Sequence, residues 1–181
     1  MNIAISLGKN CESAIVGVES GLRMTREQGY KTCPFDLCVT NYDGMVKCLE
    51  EDFLHFCDVK YLELIPYSSK ELHVNYAQDG ELIIKNTYYN FLFNHESPEH
   101  TTFHQEQKWP GGKNHFVDNS FKLFIERYDK RINNFRNYMK SGNKISFILI
   151  KEYENDEDTI ALQYAMMNKY PKTNYEILLL S

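Results

Sequence analysis

The feature that most constrains the fold is a pair of apolar segments near the end of the chain, "KISFILI" at 144–150 and "YEILLLS" at 175–181. The first is expected to be a buried strand and the second a terminal strand, and residues 156–170 between them have a helical pattern. Two strands joined by a helix are typical of a parallel βαβ unit. The chain is therefore expected to contain a parallel sheet.

The start of the chain predicts another strand for the same sheet. Residues 2–7 predict a short buried strand, whose apolar run Ile3-Ala4-Ile5 stops at Ser6-Leu7-Gly8, and a helix is predicted to begin close to Cys11. Helical spacing places a set of largely apolar residues on one stripe of that helix: Cys11, Ala14, Ile15, Val18 and Leu22. The opening strand, turn and helix can join the terminal βαβ unit in one central sheet.

The middle of the chain predicts antiparallel strands. Residues 61–66 are expected to form one strand, and "ELHVNYAQDGELIIKN" at 71–86 predicts a hairpin about the turn dipeptide Asp79-Gly80. The aromatic segment "TYYNFLFNH" at 87–95 predicts a further strand. The expected fold class is therefore α/β or α+β, with a central, mostly parallel sheet, flanking helices and an antiparallel hairpin.

Two further helices are predicted, at 42–53 and 121–140, and the second has the clearest pattern in the chain. Its apolar stripe is long and continuous: Phe121, Phe124, Ile125, Tyr128, Ile132, Phe135 and Met139. Lys130 and Arg131 fall on its polar side and are expected to be solvated. Residues 96–120 are predicted to form a long irregular loop, and loops of that length inside a domain are often functional.

Composition favours one globular domain over residues 1–181, because 43% of the residues are hydrophobic. The net charge of −5 argues against a general nucleic-acid or anionic-membrane surface. No apolar run reaches the roughly 18 residues that a membrane span requires. The five cysteines form no CxxC pair, and no signal peptide is recognised at Met1, so we expect free thiols and a cytoplasmic location.

Cys11 is the first candidate for chemistry. A thiol at the first turn of a helix meets the positive end of the helix dipole and free backbone N–H groups, which lower a thiol pKa and can bind an oxyanion. Free cysteine is also among the most buried residue types, and Cys11 lies on an apolar stripe. Cys11 is therefore either a nucleophile or a core residue.

His95 is the candidate base for this thiol, because it ends an aromatic strand at the start of a loop. His115, in "HFVDN", is an alternative base with an acid nearby, and His100 and His104 lie in the same loop. The spacing of acids and histidines in "HESPEHTTFH" matches no standard zinc motif, so no metal is expected.

Asp36 is the candidate third member of the site. In "CPFDL" the acid sits among apolar residues, and a buried carboxylate needs a partner. Orienting a histidine is one such role. Capping a turn after Pro34 is the alternative role.

An ordered set of segments resembles the DUF1796 family: "ISLGKNCESA", "PFDL", "YYNFLFNHE", "ERYDKRINNF" and "ISFILI", between residues 3 and 150. This family is described as papain-like cysteine peptidases on prediction alone, and it occurs in bacteria and some large DNA viruses. Its members resemble "SLGxxCxxA" followed by "PFDW". The present chain has Leu37 in place of that tryptophan, and Glu96-Ser97 in place of an acid-aromatic pair after the histidine.

The resemblance implies a thiol hydrolase site with Cys11 as nucleophile, His95 as base and Asp36 as acid. Ser6, Gly8 and Asn10 belong to the turn before the cysteine, where the oxyanion and substrate are expected to bind. A papain-like α+β fold is the alternative that the resemblance implies for the architecture. In a bacterial member the protein would lie in the bacterial cytoplasm, and in a viral member in that of the host cell.

Three functions follow as hypotheses. The first is hydrolysis or acyl transfer on a peptide or other acyl-bearing substrate, without a cofactor. The second is a non-catalytic α/β binding domain in which Cys11 is structural. The third is a transferase for a sugar or phosphate-bearing substrate, with an anion bound at the Gly8 turn.

Overall fold

The computed structural model describes residues 2–68, 79–98, 103–150 and 157–180. Its strands and helices in chain order are β1 (Asn2–Ser6), α1 (Glu12–Glu19), α2 (Tyr42–Glu50), β2 (Leu62–Pro66), β3 (Leu82–Asn86), β4 (Phe91–Leu92), α3 (Phe103–Glu106), α4 (Asp118–Met139), β5 (Lys144–Ile150), α5 (Glu157–Lys169) and β6 (Tyr175–Leu180). Short 3-10 turns, including Pro34–Asp36 and Asn94–Glu96, lie between them.

The first sheet is parallel, with strand order β1-β5-β6. Ile5 is level with Phe147 on β5, which in turn is level with Ile177 on β6. β5 is the central strand, and its residues 145–149 are buried, as expected for a strand with neighbours on both edges. The predicted βαβ unit is therefore confirmed, and β1 shares its sheet. The α/β fold class is confirmed with it.

The second sheet is antiparallel, with strand order β2-β3-β4. β3 is the second strand of the predicted hairpin, and it pairs with β2, where Leu64 is level with Ile84. The predicted first strand of that hairpin, at 71–78, lies outside the described residues. The predicted turn at Asp79-Gly80 is present, and Gly80 N–H donates to the Tyr67 carbonyl at 2.9 Å.

The strand predicted over 87–95 is wrong in its extent. The Asn86 side chain accepts hydrogen bonds from the backbone N–H groups of Tyr88 (3.1 Å) and Tyr89 (2.9 Å), and Asn90 has a positive φ of 57°. These side-chain bonds fold residues 87–90 into a turn, which the aromatic composition concealed. Only β4 remains extended, and His95 lies in the 3-10 turn that follows.

Helix α4 supplies one side of the aromatic core. Its range begins at Asp118, inside the segment predicted to be irregular, where α3 also forms. Residues 119–121 have positive φ values of 53°, 55° and 61°, so the right-handed helix follows Phe121, close to the predicted start at 121. Its predicted stripe is confirmed as core at Phe124, Tyr128, Ile132, Phe135 and Met139, all of which are buried. Phe135 packs on Phe147 of β5, with ring centroids 6.3 Å apart, so α4 covers the parallel sheet. None of the helices in the described parts of the chain is long and apolar enough to span a membrane.

Candidate active site at the start of helix α1

A cavity of about 370 Å³ brings together three predicted site residues, Cys11, Asp36 and His95. Its wall is formed by α1, by residues between Arg23 and Leu37, and by the 3-10 turn that holds His95. These segments are far apart along the chain. The fold therefore places the candidate nucleophile, base and acid around one space.

Cys11 occupies the N-cap position of α1, immediately after the turn that follows β1. Its carbonyl accepts the first helical hydrogen bond, from Ile15 N–H at 3.0 Å, but its side chain makes no capping hydrogen bond. The Asn10 side chain takes that role and accepts from Glu12 N–H at 2.8 Å. The Cys11 thiol is therefore not used to satisfy the helix end.

The apolar stripe predicted on α1 forms the cavity wall. Ala14, Ile15 and Val18 line the cavity beside Cys11, and Ile15 is 51% exposed. The helix packs on the parallel sheet through small residues, since a Cβ at Gly17 would lie 2.6 Å from the Ile148 side chain on β5. Larger side chains of α1 thus point to the cavity, and Cys11 is half-buried among them.

Burial raises the pKa of the Cys11 thiol, and the neighbouring Glu12 carboxylate raises it further. A backbone hydrogen bond at Cys11 acts in the opposite direction but does not outweigh burial. This net direction is opposite to the lowered pKa that we expected from the helix start. The thiol is therefore protonated at neutral pH, and it needs a base to become a nucleophile.

His95 is held at the cavity by the turn around it. Its ring stacks on Phe103, with centroids 5.2 Å apart and planes 12° apart. The Ser97 hydroxyl donates to the Phe93 carbonyl (2.6 Å) and accepts from Ile84 N–H (2.9 Å), which fastens the turn to β3. The imidazole is thus carried by a segment with a fixed position on the second sheet.

Glu96 anchors the same turn to α4. Its buried carboxylate accepts from the Tyr128 hydroxyl (3.0 Å) and from Arg131 Nη1 (3.1 Å), and Arg127 Nε lies 2.9 Å from it. The prediction that Arg131 is solvated is wrong, because Glu96 supplies the countercharge that lets it be buried. Lys130 is exposed, as predicted.

Asp36 is buried in the wall of the cavity and has several partners. Its Oδ2 accepts from Arg23 Nη2 (2.9 Å) and from Cys33 N–H (2.7 Å), and its Oδ1 accepts from the Tyr30 hydroxyl (3.3 Å). Burial raises the pKa of Asp36, and the Arg23 guanidinium opposes that rise. The bond to Cys33 N–H caps the 3-10 turn, which was the alternative predicted for this acid.

Arg23 is the residue of this site that the sequence interpretation missed. Besides its ion pair with Asp36, it donates to the Ala14 carbonyl on α1 at 3.0 Å, and its guanidinium lies 4.0 Å from the centre of the Tyr30 ring. It therefore ties the turn containing Asp36 to α1. The available signal was the apolar setting of Asp36, because a buried acid requires a cationic partner.

The three residues predicted to bind the oxyanion build the turn before Cys11. Ser6 is buried and its hydroxyl forms a short hydrogen bond with that of Ser13. Gly8 has a φ of 103°, and a Cβ there would overlap the Thr40 hydroxyl, so only glycine fits. Asn10 caps α1. None of these three residues is among the described residues that line the Cys11 cavity.

His115, the alternative base, lies elsewhere. Its ring contacts Phe116, with centroids 4.7 Å apart, and its Nδ1 accepts from Gly111 N–H at 3.4 Å. It is not among the described residues that line the Cys11 cavity. Within the described ranges, no group of three or more His, Cys, Asp or Glu side chains could hold a metal ion. His100, which was considered as a ligand, lies outside those ranges.

Comparison with protein families finds a match over nearly the whole chain. The family described as "Putative papain-like cysteine peptidase (DUF1796)" matches residues 2–180. Comparisons with curated proteins and with solved structures find no match. The family match extends past residue 150, where the quoted motifs end, and includes the terminal βαβ unit.

Proposed function

This chain belongs to the DUF1796 family, and from that premise we propose that it is a papain-like cysteine hydrolase for amide or thioester bonds in peptide or other acyl-bearing substrates. The observation that carries the proposal is the shared cavity of Cys11 and His95. A thiol whose pKa is raised by burial requires a base, and His95 is the imidazole on the same cavity wall.

In the proposed reaction the His95 imidazole takes the thiol proton as Cys11 Sγ attacks the carbonyl carbon of the substrate. The tetrahedral intermediate collapses when the imidazolium gives that proton to the leaving amine or thiol, which leaves a thioester on Cys11. Water, deprotonated by His95, then attacks the thioester, and the acid product and the free thiol are released. These steps need no cofactor.

We assign the oxyanion to the start of α1, where the backbone N–H of Cys11 is the candidate donor. The Asn10 side chain caps this helix start and does not line the cavity. Ser6 stabilises the turn before Cys11 through its hydrogen bond to the Ser13 hydroxyl, and Gly8 provides its positive φ. For Asp36 we propose a positioning role, because its bonds to Arg23 and Cys33 N–H hold the wall opposite α1.

The decisive experiment is the pH dependence of alkylation at Cys11 in the native protein, followed by peptide mass spectrometry. The comparison is made between the wild type, His95→Ala and the matched control His115→Ala, which removes a histidine outside the cavity. We expect alkylation of Cys11 in the wild type and in His115→Ala to begin at a lower pH than in His95→Ala, because His95 accepts the thiol proton. In His95→Ala its reaction should rise only above about pH 9, as for an unassisted thiol.

The shape of the pH profile matters more than the rate, because accessibility alone separates Cys11 from Cys33, Cys38 and Cys48, which are fully buried. An identical profile in the wild type and in His95→Ala would contradict the proposed pair. A Cys11→Ala variant should lose turnover of acyl substrates and keep its fold, because its side chain lines a cavity rather than the core.

The rival function is a non-catalytic binding domain. One observation favours it, namely that burial raises the pKa of Cys11 instead of lowering it. On this view the apolar wall of α1 receives a ligand, and Cys11 is part of that wall. Alkylation that is slow below pH 9 in all three proteins would make this the better assignment.

A further inference from the structure

A second cavity, of about 650 Å³, adjoins the Cys11 cavity and is strongly basic. Five of its lining residues are cationic and two are neutral: Arg26, Lys31, Arg127, Lys130 and Arg131, with Thr32 and Asn134. In the described part of the chain, the residues that line it include no acid. Such a concentration of positive charge needs an explanation in a protein of net charge −5.

Two buried carboxylates, Glu96 and Asp36, supply countercharge near these five cations, and both raise the pKa of Arg131. Glu96 lies beneath the cavity, and the same oxygen, Oε1, is 2.9 Å from Arg127 Nε and 3.1 Å from Arg131 Nη1. One carboxylate therefore faces two guanidiniums. At the rim, the exposed Glu27 is the chain neighbour of Arg26, and on α4 the exposed Asp129 is the chain neighbour of Lys130.

The cations repel one another. Burial is the main cause that lowers the pKa of Arg127, and the charges of Arg131 and Arg26 lower it further. Arg127, Lys130, Arg131 and Asn134 recur at helical spacing, so α4 presents them on one face. A bound anion would relieve this repulsion, and guanidinium groups are suited to the paired oxygens of an oxyanion.

The two cavities share part of their walls. Arg26 and Thr32 line both of them. Asn134 of α4 donates to the Thr32 carbonyl at 2.9 Å, which fixes the shared wall to the basic helix face. A ligand with its anionic group among the arginines would therefore have its remainder next to Cys11.

We propose that this basic cavity is a phosphate-binding subsite, and that the substrate handled at Cys11 carries a phosphate group. Phosphate is favoured over a carboxylate because five cations outnumber the two buried carboxylates near them, an excess that suits a doubly charged group. The statement about the substrate rests on the proposed hydrolase function. The statement about phosphate binding does not.

The test is binding of inorganic phosphate, measured by titration calorimetry at constant ionic strength with acetate as the reference anion. The variant Arg26→Gln/Lys130→Gln removes two exposed cations of the cavity. Its control, Lys122→Gln/Lys140→Gln, removes two exposed lysines that do not line the cavity, so both proteins lose the same charge. We expect phosphate affinity to fall about tenfold or more in the first variant and less than about twofold in the control.

Absence of phosphate binding to the wild type, or an equal loss in the two variants, would overturn the subsite. Cys11→Ala should bind phosphate as the wild type does, so this result is independent of the alkylation profile that tests the hydrolase. A short phosphoserine peptide and its unphosphorylated form identify the source of the phosphate. Tighter binding of the phosphopeptide than of inorganic phosphate supports a phosphate-bearing substrate, and weaker binding would overturn that part.

Discussion

Helices α1 and α4 carry similar apolar stripes in the sequence, yet the structure uses them differently. On α4 the stripe is buried in an aromatic core, where Phe135 and Tyr128 are fully enclosed. On α1 the stripe lines the cavity at Cys11, and Ile15 is half exposed. An apolar stripe therefore shows which side of a helix faces the protein, but not whether the space opposite is filled.

The reason lies in what faces each helix. Opposite α4, large side chains such as Phe56, Phe93 and Phe147 fill the space between helix and sheets. Opposite α1 lie the polar group of Arg23 and Asp36 and the half-buried His95. Asp36 keeps its bonds to Arg23 and to Cys33 N–H, and Arg23 reaches α1 through the Ala14 carbonyl. This polar group does not fill the space beside the apolar stripe, so the stripe stays as the wall of a cavity.

The largest expected difference between the two helices concerns core packing. Phe135→Ala should reduce the free energy of unfolding by about 4 kcal/mol, because it leaves a cavity in a filled core. Ile15→Ala should cost less than about 1 kcal/mol, because its side chain is 51% exposed. Chemical denaturation of both variants checks this. Similar losses in the two would show that the α1 stripe is core after all.

The second prediction concerns the acid that anchors α4 to the His95 turn. Glu96→Gln should reduce the free energy of unfolding by about 3 kcal/mol, because it leaves the buried Arg131 without its countercharge. The control is Glu126→Gln, also on α4. The Glu126 carboxylate is exposed, so this substitution should change the free energy of unfolding by less than about 0.5 kcal/mol. Urea denaturation measures both variants. If Glu96→Gln leaves the free energy of unfolding unchanged, Glu96 does not anchor α4 to the His95 turn.

The third prediction concerns the corresponding acid on the α1 side. Asp36→Asn should reduce the free energy of unfolding by about 2 kcal/mol, because asparagine keeps the shape of the side chain but weakens the hydrogen bonds from Arg23 and Cys33 N–H. Asp43→Asn, at the exposed start of α2, is the control and should cost about 0.5 kcal/mol. If Asp36→Asn is as stable as this control, the bonds of Asp36 do not stabilise the side of the Cys11 cavity that faces α1. Thermal denaturation followed by circular dichroism checks the pair.

The smallest effect is on pH dependence. Burial raises the pKa of the core thiols Cys33, Cys38 and Cys48, so the folded state holds protons that the unfolded state releases near pH 9. The contribution of these thiols to stability is therefore complete below pH 8 and is lost as the pH rises. Between pH 8 and pH 9, titration of the three thiols in the unfolded state should reduce the free energy of unfolding by about 1 kcal/mol in total. Denaturation in reducing buffer at both values measures it, and unchanged stability would contradict it.

Much of the architecture was predictable from local patterns. The apolar runs at 144–150 and 175–180 with a helical segment between them predicted the parallel unit, and the stripe of α4 predicted its core face. The strand predicted over 87–95 was wrong, although its turn is local: the Asn86 side chain bonds the backbone N–H groups of Tyr88 and Tyr89, and the aromatic composition concealed this turn signal. The burial of Arg131 was not predictable, since its partner Glu96 is remote in the chain.

By itself the sequence determined the elements and a short set of chemically suited residues, because backbone hydrogen bonding and side-chain periodicity act over a few neighbouring positions. It also pointed to Cys11, His95 and Asp36 through a family resemblance. Only the tertiary structure decided that Cys11 and His95 share a cavity, that Asp36 pairs with Arg23, and that the basic face of α4 adjoins this cavity. Those facts depend on contacts between distant segments, which are settled only when the whole chain packs.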